Sequence, residues 1–231
     1  MIDLRDRIRR DERMDDPGLD PATYATVLGD LARVNRWTFN ARPTLIFLKR
    51  ATRGLPAFRL LDVGFGHGDM LRRIARWARK REIAVDLVGV DLNPNSAKAA
   101  RAATSIGAPI EYRTGDYAEQ PTPFDFVVSS LVAHHMTDDQ LRDFIRYMER
   151  MAARGWIIND LHRHRCAYYG FAWLAWLLRA HPIVREDGRT SIARAFRPPE
   201  WQAILADAGV PDGAARIVRR FPFRLCVERA R

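Results

Sequence analysis

The chain is predicted to be an α/β protein: a doubly wound, mostly parallel sheet, preceded by N-terminal helices and carrying a helical lid near its C-terminus. Three observations predict it. Apolar runs of strand length alternate with amphipathic runs of helical length from residue 59 to residue 160. The first strand-length run empties into three alternate glycines, Gly64, Gly66 and Gly68. The later runs end in polar groups, at Asp91, Asp116, Ser129-Ser130 and Asn159-Asp160. A βαβα rhythm joined by right-handed crossovers lays strands parallel and covers both faces of the sheet with helices.

The elements follow in order. Residues 1–19 are charged, end in Asp-Pro-Gly, and read as a mobile or loosely helical arm. Tyr24, Val27, Leu28, Leu31 and Val34 recur at helical spacing, and Leu45, Ile46 and Leu48 follow Pro43, which suits a first helical turn. Strands are expected at 59–63, 85–90, 110–114, 124–129 and 156–158, with helices at 69–80, 94–103 and 137–153 between them. Beyond them lie a long apolar helix at 163–180, a short one at 198–208, and two β-type runs, 215–220 and 224–228, that form a closing hairpin. The expected organisation is a helical extension over 1–54 and one main domain over 55–231, with the lid at 162–200.

A length of 231 residues suffices for one well-cored domain, and 47% hydrophobic with 29% charged residues is ordinary globular composition. The net charge is +10, and all but three of the 38 basic residues are arginines spread along the chain among acids. Nucleic-acid binders gather such charge into a stripe with interleaved aromatics, so a nucleic-acid partner is not expected, while contact with a membrane surface stays open. The N-terminus has no apolar signal-peptide core, and the most apolar stretch, 168–178, is about half the length of a membrane crossing, which points to the cytoplasm. Cys166 and Cys226 show no ligand spacing, so neither a disulfide framework nor a metal site is expected.

The turn after the first strand, LLDVGFGHGD, carries the chemistry. A dinucleotide site would want a glycine three residues after Gly66, and Asp69 stands there instead. Asp62 and Asp69 would repel a diphosphate, whereas an ammonium and a sulfonium would be welcome. That charge logic favours S-adenosylmethionine. Asp91, with Leu92 beside it, ends the second strand where a carboxylate accepts ribose hydroxyls. Asp116 and Tyr117 follow the third strand, suited to an adenine amino group and ring, and Ser130 ends the fourth beside the expected sulfonium. Taken singly, Asp62 and Asp91 read equally well as caps of the helices that follow them.

LLDVGFGHGD, VGVDLNP, RTGDY and FDFVVSSLVAHHM resemble the ordered motifs of class I S-adenosylmethionine-dependent methyltransferases. The resemblance covers roughly residues 57–160, and the closing hairpin fits the family's reversed seventh strand. It implies a seven-stranded Rossmann-like sheet with Gly64, Gly66, Asp91 and Asp116 on the cofactor and Asp62 close by. The residues after 159 are similar to small bacterial methyltransferases found beside type III polyketide synthases or grouped with quinone-pathway enzymes. That similarity implies a hydrophobic phenolic or quinol acceptor, methylated at oxygen or at a ring carbon.

On the acceptor side, His134-His135 follow the fourth strand and Asp160 and His162 follow the fifth. An imidazole titrates near neutrality and can take the proton of a phenol or enol. The candidates for the base are His135 first and His162 second, with Asp160 as orienting partner; His134 reads rather as a packed residue. Arg42 is a candidate partner for the cofactor carboxylate. The aromatic run 168–178 reads equally as buried core and as a wall of an acceptor pocket.

Overall fold

The structure, a computed structural model, describes residues 3–16, 18–120 and 123–231. Its elements run α1 (Pro21–Trp37), α2 (Ala41–Ala51), β1 (Ala57–Val63), α3 (Asp69–Arg79), β2 (Ala84–Asp91), α4 (Pro94–Ala102), β3 (Ile110–Thr114) and β4 (Phe124–Ser130). They continue through α5 (Asp138–Met151), β5 (Ala152–Leu161), α6 (Arg165–Leu177), α7 (Pro182–Arg194), α8 (Pro198–Asp207), β6 (Arg216–Arg220) and β7 (Arg224–Ala230). Seven strands form one sheet in the order β3-β2-β1-β4-β5-β7-β6. The first five are parallel, and β7 pairs antiparallel with both β5 and β6. This is the expected doubly wound α/β fold with its reversed strand.

Successive residues on the central strands serve opposite faces. Leu60, Leu87, Phe126 and Ile157 pack with Phe47, Leu71, Ile74 and Ala97 on the side of α2, α3 and α4. Their neighbours Leu61, Val88, Val127 and Ile158 pack with Leu141, Phe144 and Trp201 on the side of α5 and α8. Each fully buried aliphatic side chain contributes about 1.5–3 kcal/mol, so the strand pattern both pairs and anchors the two helical layers. A third cluster joins α1, α6 and α7 through Val27, Val34, Ala175, Ile183 and Val184.

Two expectations are corrected. The N-terminal arm is neither loose nor generally helical over its described residues. From residue 3 to 16 it is a strap, extended apart from a short turn at Arg13–Asp15, and docked on the body. Leu4 is buried against Ala167, Tyr168 and Ile192, and the buried Arg163 guanidinium donates to the carbonyls of Leu4, Arg5 and Ala195. Asp187 accepts from the backbone N–H groups of Arg13 and Met14, each at 2.9 Å. Pro17, within the Asp-Pro-Gly signal, lies outside the described residues.

Within the lid segment the structure adds a second helix, α7, to the expected apolar one. α6 stops at Leu177, and α7 begins at Pro182 behind an N-cap at His181, whose ring accepts from the Ile183 N–H. Pro at the first helical position was a readable start signal. Gly188 in the middle of α7 obscured it. That glycine is needed for packing, since an added Cβ would stand 2.1 Å from the Phe171 ring of α6.

Candidate active site

One cavity of about 990 Å³ opens at the carboxyl ends of β1, β2, β4 and β5. That lies at the top of the roughly 300–1,000 Å³ range of ligand pockets, room for a nucleoside-sized cofactor and a second ligand. Its floor is the turn from β1 into α3. Gly64 and Gly68 both have φ +73°, a conformation that L side chains resist. A Cβ on Gly64 would meet Val132 at 2.4 Å, and one on Gly68 would meet the Tyr112 hydroxyl at 2.5 Å. The backbone is thus brought close to neighbouring side chains and left open towards the cavity.

Carboxylates line that floor. Asp62 is 1% exposed, and both its oxygens are buried without a hydrogen-bond partner among the described residues. Burial pushes its carboxyl well above the usual range, with further contributions from Asp69 and Asp91. A buried carboxylate left unpaired is costly unless a cation meets it. Asp91 is engaged: its Oδ2 accepts from the Gly66 N–H and its Oδ1 from the Asn93 N–H, both at 2.9 Å. The glycine turn and the acidic strand end are therefore held together by one side chain. The residues fit a ligand with a cationic head near Asp62 and a polar ring near Asp91.

The other expected positions can now be placed. Gly64, Gly66, Leu92, Tyr117 and Ser130 line the same cavity. Tyr117 packs on Phe144 and Tyr147, with ring centroids 4.8 and 4.9 Å away. Asp116 is exposed beside the cavity-lining Gly115, its Oδ1 capping the Ala118 N–H at 2.8 Å. Arg42 lies elsewhere, exposed in a shallow recess with Arg36, Lys49, Arg73 and Trp77, so its proposed pairing with a cofactor carboxylate is withdrawn.

After β4 the two adjacent histidines are each held by a carboxylate. His134, 2% exposed, sits 2.7 Å from Asp160 through Nδ1, and its N–H also donates to Asp160 at 2.8 Å. Asp160 is fully buried; burial would raise its pKa, but the His134 charge and the three hydrogen bonds around it win and lower it. The orienting partner foreseen for His135 or His162 therefore orients His134. His135 is partly exposed to the cavity and pairs with Asp15 at 3.0 Å through Nδ1. An ionised carboxylate cannot donate, so Nδ1 carries the proton and Nε2 is left as the acceptor. Burial opposes the charged ring, yet the Asp15 bond and the nearby Glu12 raise the His135 pKa on balance.

His162 belongs to another neighbourhood. It bridges to Phe196 beside Arg163, Arg197 and Arg219, and burial together with these cations pushes its pKa down to about 4. It is not among the residues lining the cavity. His162→Ala is accordingly expected to leave kcat within twofold of wild type; a hundredfold loss in steady-state turnover would return it to the reaction.

Glu12 and Asp15 escaped sequence reasoning. They sit on the strap, and no local signal ties residue 12 to residues 134 and 191. Glu12 is 5% exposed, accepts from Ser191 at 2.8 Å, and stands 3.6 Å from His134 Nε2 and 3.7 Å from His135 Nε2. Glu12, His134 and His135 each place one ligand atom within 4.8 Å of the others, a set that could hold a divalent cation where none was expected. The Arg194 guanidinium lies 4.0 Å from Glu12 and 3.8 Å from Asp15 and already supplies positive charge there. We read the group as a charge network around two imidazoles. Asn40 was missed for the same reason: it joins Ser130 and Asn159 across the cavity wall, with the Asn159 amide donating to its carbonyl at 2.7 Å.

Residues 60–155 match the methyltransferase domain family, a span that contains the glycine turn, Asp91, Asp116 and the paired histidines. Over these residues the chain carries a methyltransferase domain of the S-adenosylmethionine-dependent kind. This methyltransferase matches no curated protein. Among solved structures it is similar to a magnesium protoporphyrin IX methyltransferase from Synechocystis PCC 6803 with bound SAH, at 17% identity, 95% and 91% coverage of the two chains, and TM-score 0.58. It is also similar to a SAM-dependent methyltransferase from Aquifex aeolicus, at 19% identity, 91% and 98% coverage, and TM-score 0.61. Human N-acetylserotonin methyltransferase in complex with SAM shares 15% identity and TM-score 0.63 over 92% of this chain and 56% of that one. These likenesses confirm the fold of the methyltransferase.

Proposed function

We propose that this methyltransferase transfers a methyl group to an oxygen of a hydrophobic small molecule, most simply a phenol. The observation that carries the reading is the pair of carboxylate-held histidines lining the same cavity as an unpaired, buried Asp62. S-adenosylmethionine, when bound, supplies a sulfonium methyl whose bonding pair stays on sulfur as the acceptor oxygen forms the new C–O bond. Asp62 would hold the cationic amino-acid end and Asp91 the ribose, while Leu92 and Tyr117 would flank the base. The apolar wall from α6, including Phe171 and Leu174, would hold the acceptor and exclude water. His135 Nε2 would take the acceptor's proton, with Asp15 fixing the ring and favouring its charged form.

Methylation of a panel of phenols and quinols, with the product bond read by NMR, tests the reading: O–CH₃ products are expected, and exclusive ring methylation would overturn it. The base has its own test. Asp15 raises the His135 pKa, so the rate rises with pH through that raised value as the imidazole deprotonates. Asp15→Asn removes the anion and is expected to move this acid limb to lower pH. A limb that stays in place would take the base role from His135.

A further inference from the structure

Exposed large apolar side chains are concentrated on three elements. Tyr169, Trp173, Trp176 and Leu177 are exposed on α6, with Trp173 and Trp176 73% and 62% exposed. Trp37 and Phe39 are exposed at the end of α1, and Phe221 and Phe223 at the β6–β7 turn. The same three elements wall the cavity with their other sides. Gly170, Phe171 and Leu174 of α6, Leu31 and Asn35 of α1, and Pro222 of the turn all line it.

Three contacts stitch these elements into a ring. Arg33 of α1 donates to the Leu178 carbonyl just past α6, at 3.0 Å. Arg224 at the hairpin donates to Thr38 just past α1, at 2.9 Å. His164 at the start of α6 stacks on Phe223 of the turn, with centroids 5.2 Å apart and planes 23° from parallel. The aromatics therefore crown the rim of the cavity.

Charge follows the same outline. Residues 31–41, 161–185 and 213–224 contain ten arginines and no acidic residue. Arg36, Arg165, Arg179 and Arg219 among them are exposed. Trp and Tyr set among arginines around an apolar opening are the side chains that settle at a lipid–water boundary, with the basic groups meeting anionic headgroups. No helix among the described residues is long and apolar enough to cross a membrane, so the contact would be with its surface.

We infer that this ring docks the enzyme on an anionic lipid bilayer, so that an acceptor dissolved in the membrane enters the cavity directly. The inference rests on the proposed hydrophobic acceptor, and deepens it to one that partitions into lipid. The two can fail separately, because vesicle binding is read without cofactor or acceptor.

The test is flotation of the purified full chain with phosphatidylcholine vesicles with and without phosphatidylglycerol, at low and high salt, beside the double variant Trp173→Glu/Trp176→Glu. Neither tryptophan lines the cavity, and an unchanged melting temperature controls for folding. Wild type is expected to bind the anionic vesicles at least tenfold more tightly than the neutral ones, less so at high salt. The double variant is expected to lose at least tenfold. Absence of binding to anionic vesicles, or binding that the variant retains in full, would overturn the inference. So would a wild-type dimer that these substitutions disperse, which would give the ring to a second copy, or RNA that competes the protein off the vesicles, which would give the basic surface to nucleic acid.

Discussion

Asp62→Asn is expected to raise the melting temperature of the ligand-free enzyme while weakening S-adenosylmethionine at least tenfold. The two effects have one cause. The Asp62 carboxylate is buried with no partner among the described residues, and a buried charge in that state costs stability that an amide of the same shape does not. Relief of about 1–3 kcal/mol corresponds to several degrees in a domain of this size. The same carboxylate is the group proposed to meet the cofactor's ammonium, and a charge-assisted bond of about 1.5–3 kcal/mol is worth a factor of ten or more in affinity. The pH dependence has a definite sign. The folded-state pKa is raised, so the group's stabilising contribution is full below its unfolded value of about 3.9 and is lost as pH rises through the folded value. Wild type should therefore lose stability over that window and the variant should not. Thermal melting from pH 4 to 8 and calorimetric titration check both halves; a variant that melts no higher and binds equally well would show that Asp62 has another partner.

Asp160→Ala should be the most destabilising single change at the site, by about 2–5 kcal/mol, because it leaves the buried His134 ring, the His134 N–H and the Leu161 N–H without their acceptor. Asp160 holds the His134 ring and backbone and the Leu161 N–H, all within 2.8 Å. Asp160→Asn keeps shape and some hydrogen bonding and should recover part of the loss. Here the folded pKa is lowered, so the contribution is present above the unfolded value of about 3.9 and is lost as pH falls through the folded value. Urea denaturation at pH 7 and pH 3 reads this directly: the gap between wild type and Asp160→Ala should narrow in acid. On the proposed mechanism Asp160 fixes His134, whose ring packs on the base His135 at 4.4 Å between centroids, so the folded Asn variant should lose kcat with KM little changed. An Ala variant as stable as wild type at pH 7 would refute the buried pair.

Much of the fold was legible because its signals are local. The two-residue alternation of Leu60 and Leu61 assigns them to opposite faces, and the structure buries them in opposite layers. The glycine turn is written within five residues, and Asp91 is marked by its place at the end of an apolar strand, although the Gly66 N–H it accepts from lies 25 residues back. Where reading failed, a competing local signal was stronger. The charged, glycine-containing run after Pro182 gave no clear apolar stripe and hid α7, and the charge alternation of the first 16 residues resembled solvent-facing chain.

By itself, the sequence determined the doubly wound sheet, the order of polar groups at its strand ends and the cofactor class, because strand period, turn chemistry and charge act between near neighbours. Tertiary structure alone decided which imidazole each carboxylate holds, that Arg42 and His162 do not line the cavity, and that a charged N-terminal strap does. Those outcomes depend on pairs such as Asp15 with His135 and Arg163 with Leu4, separated by 120 and 159 residues. Such pairs are selected by the desolvation of ionic groups against one another once the sheet has brought them together, and no spacing along the chain records that choice.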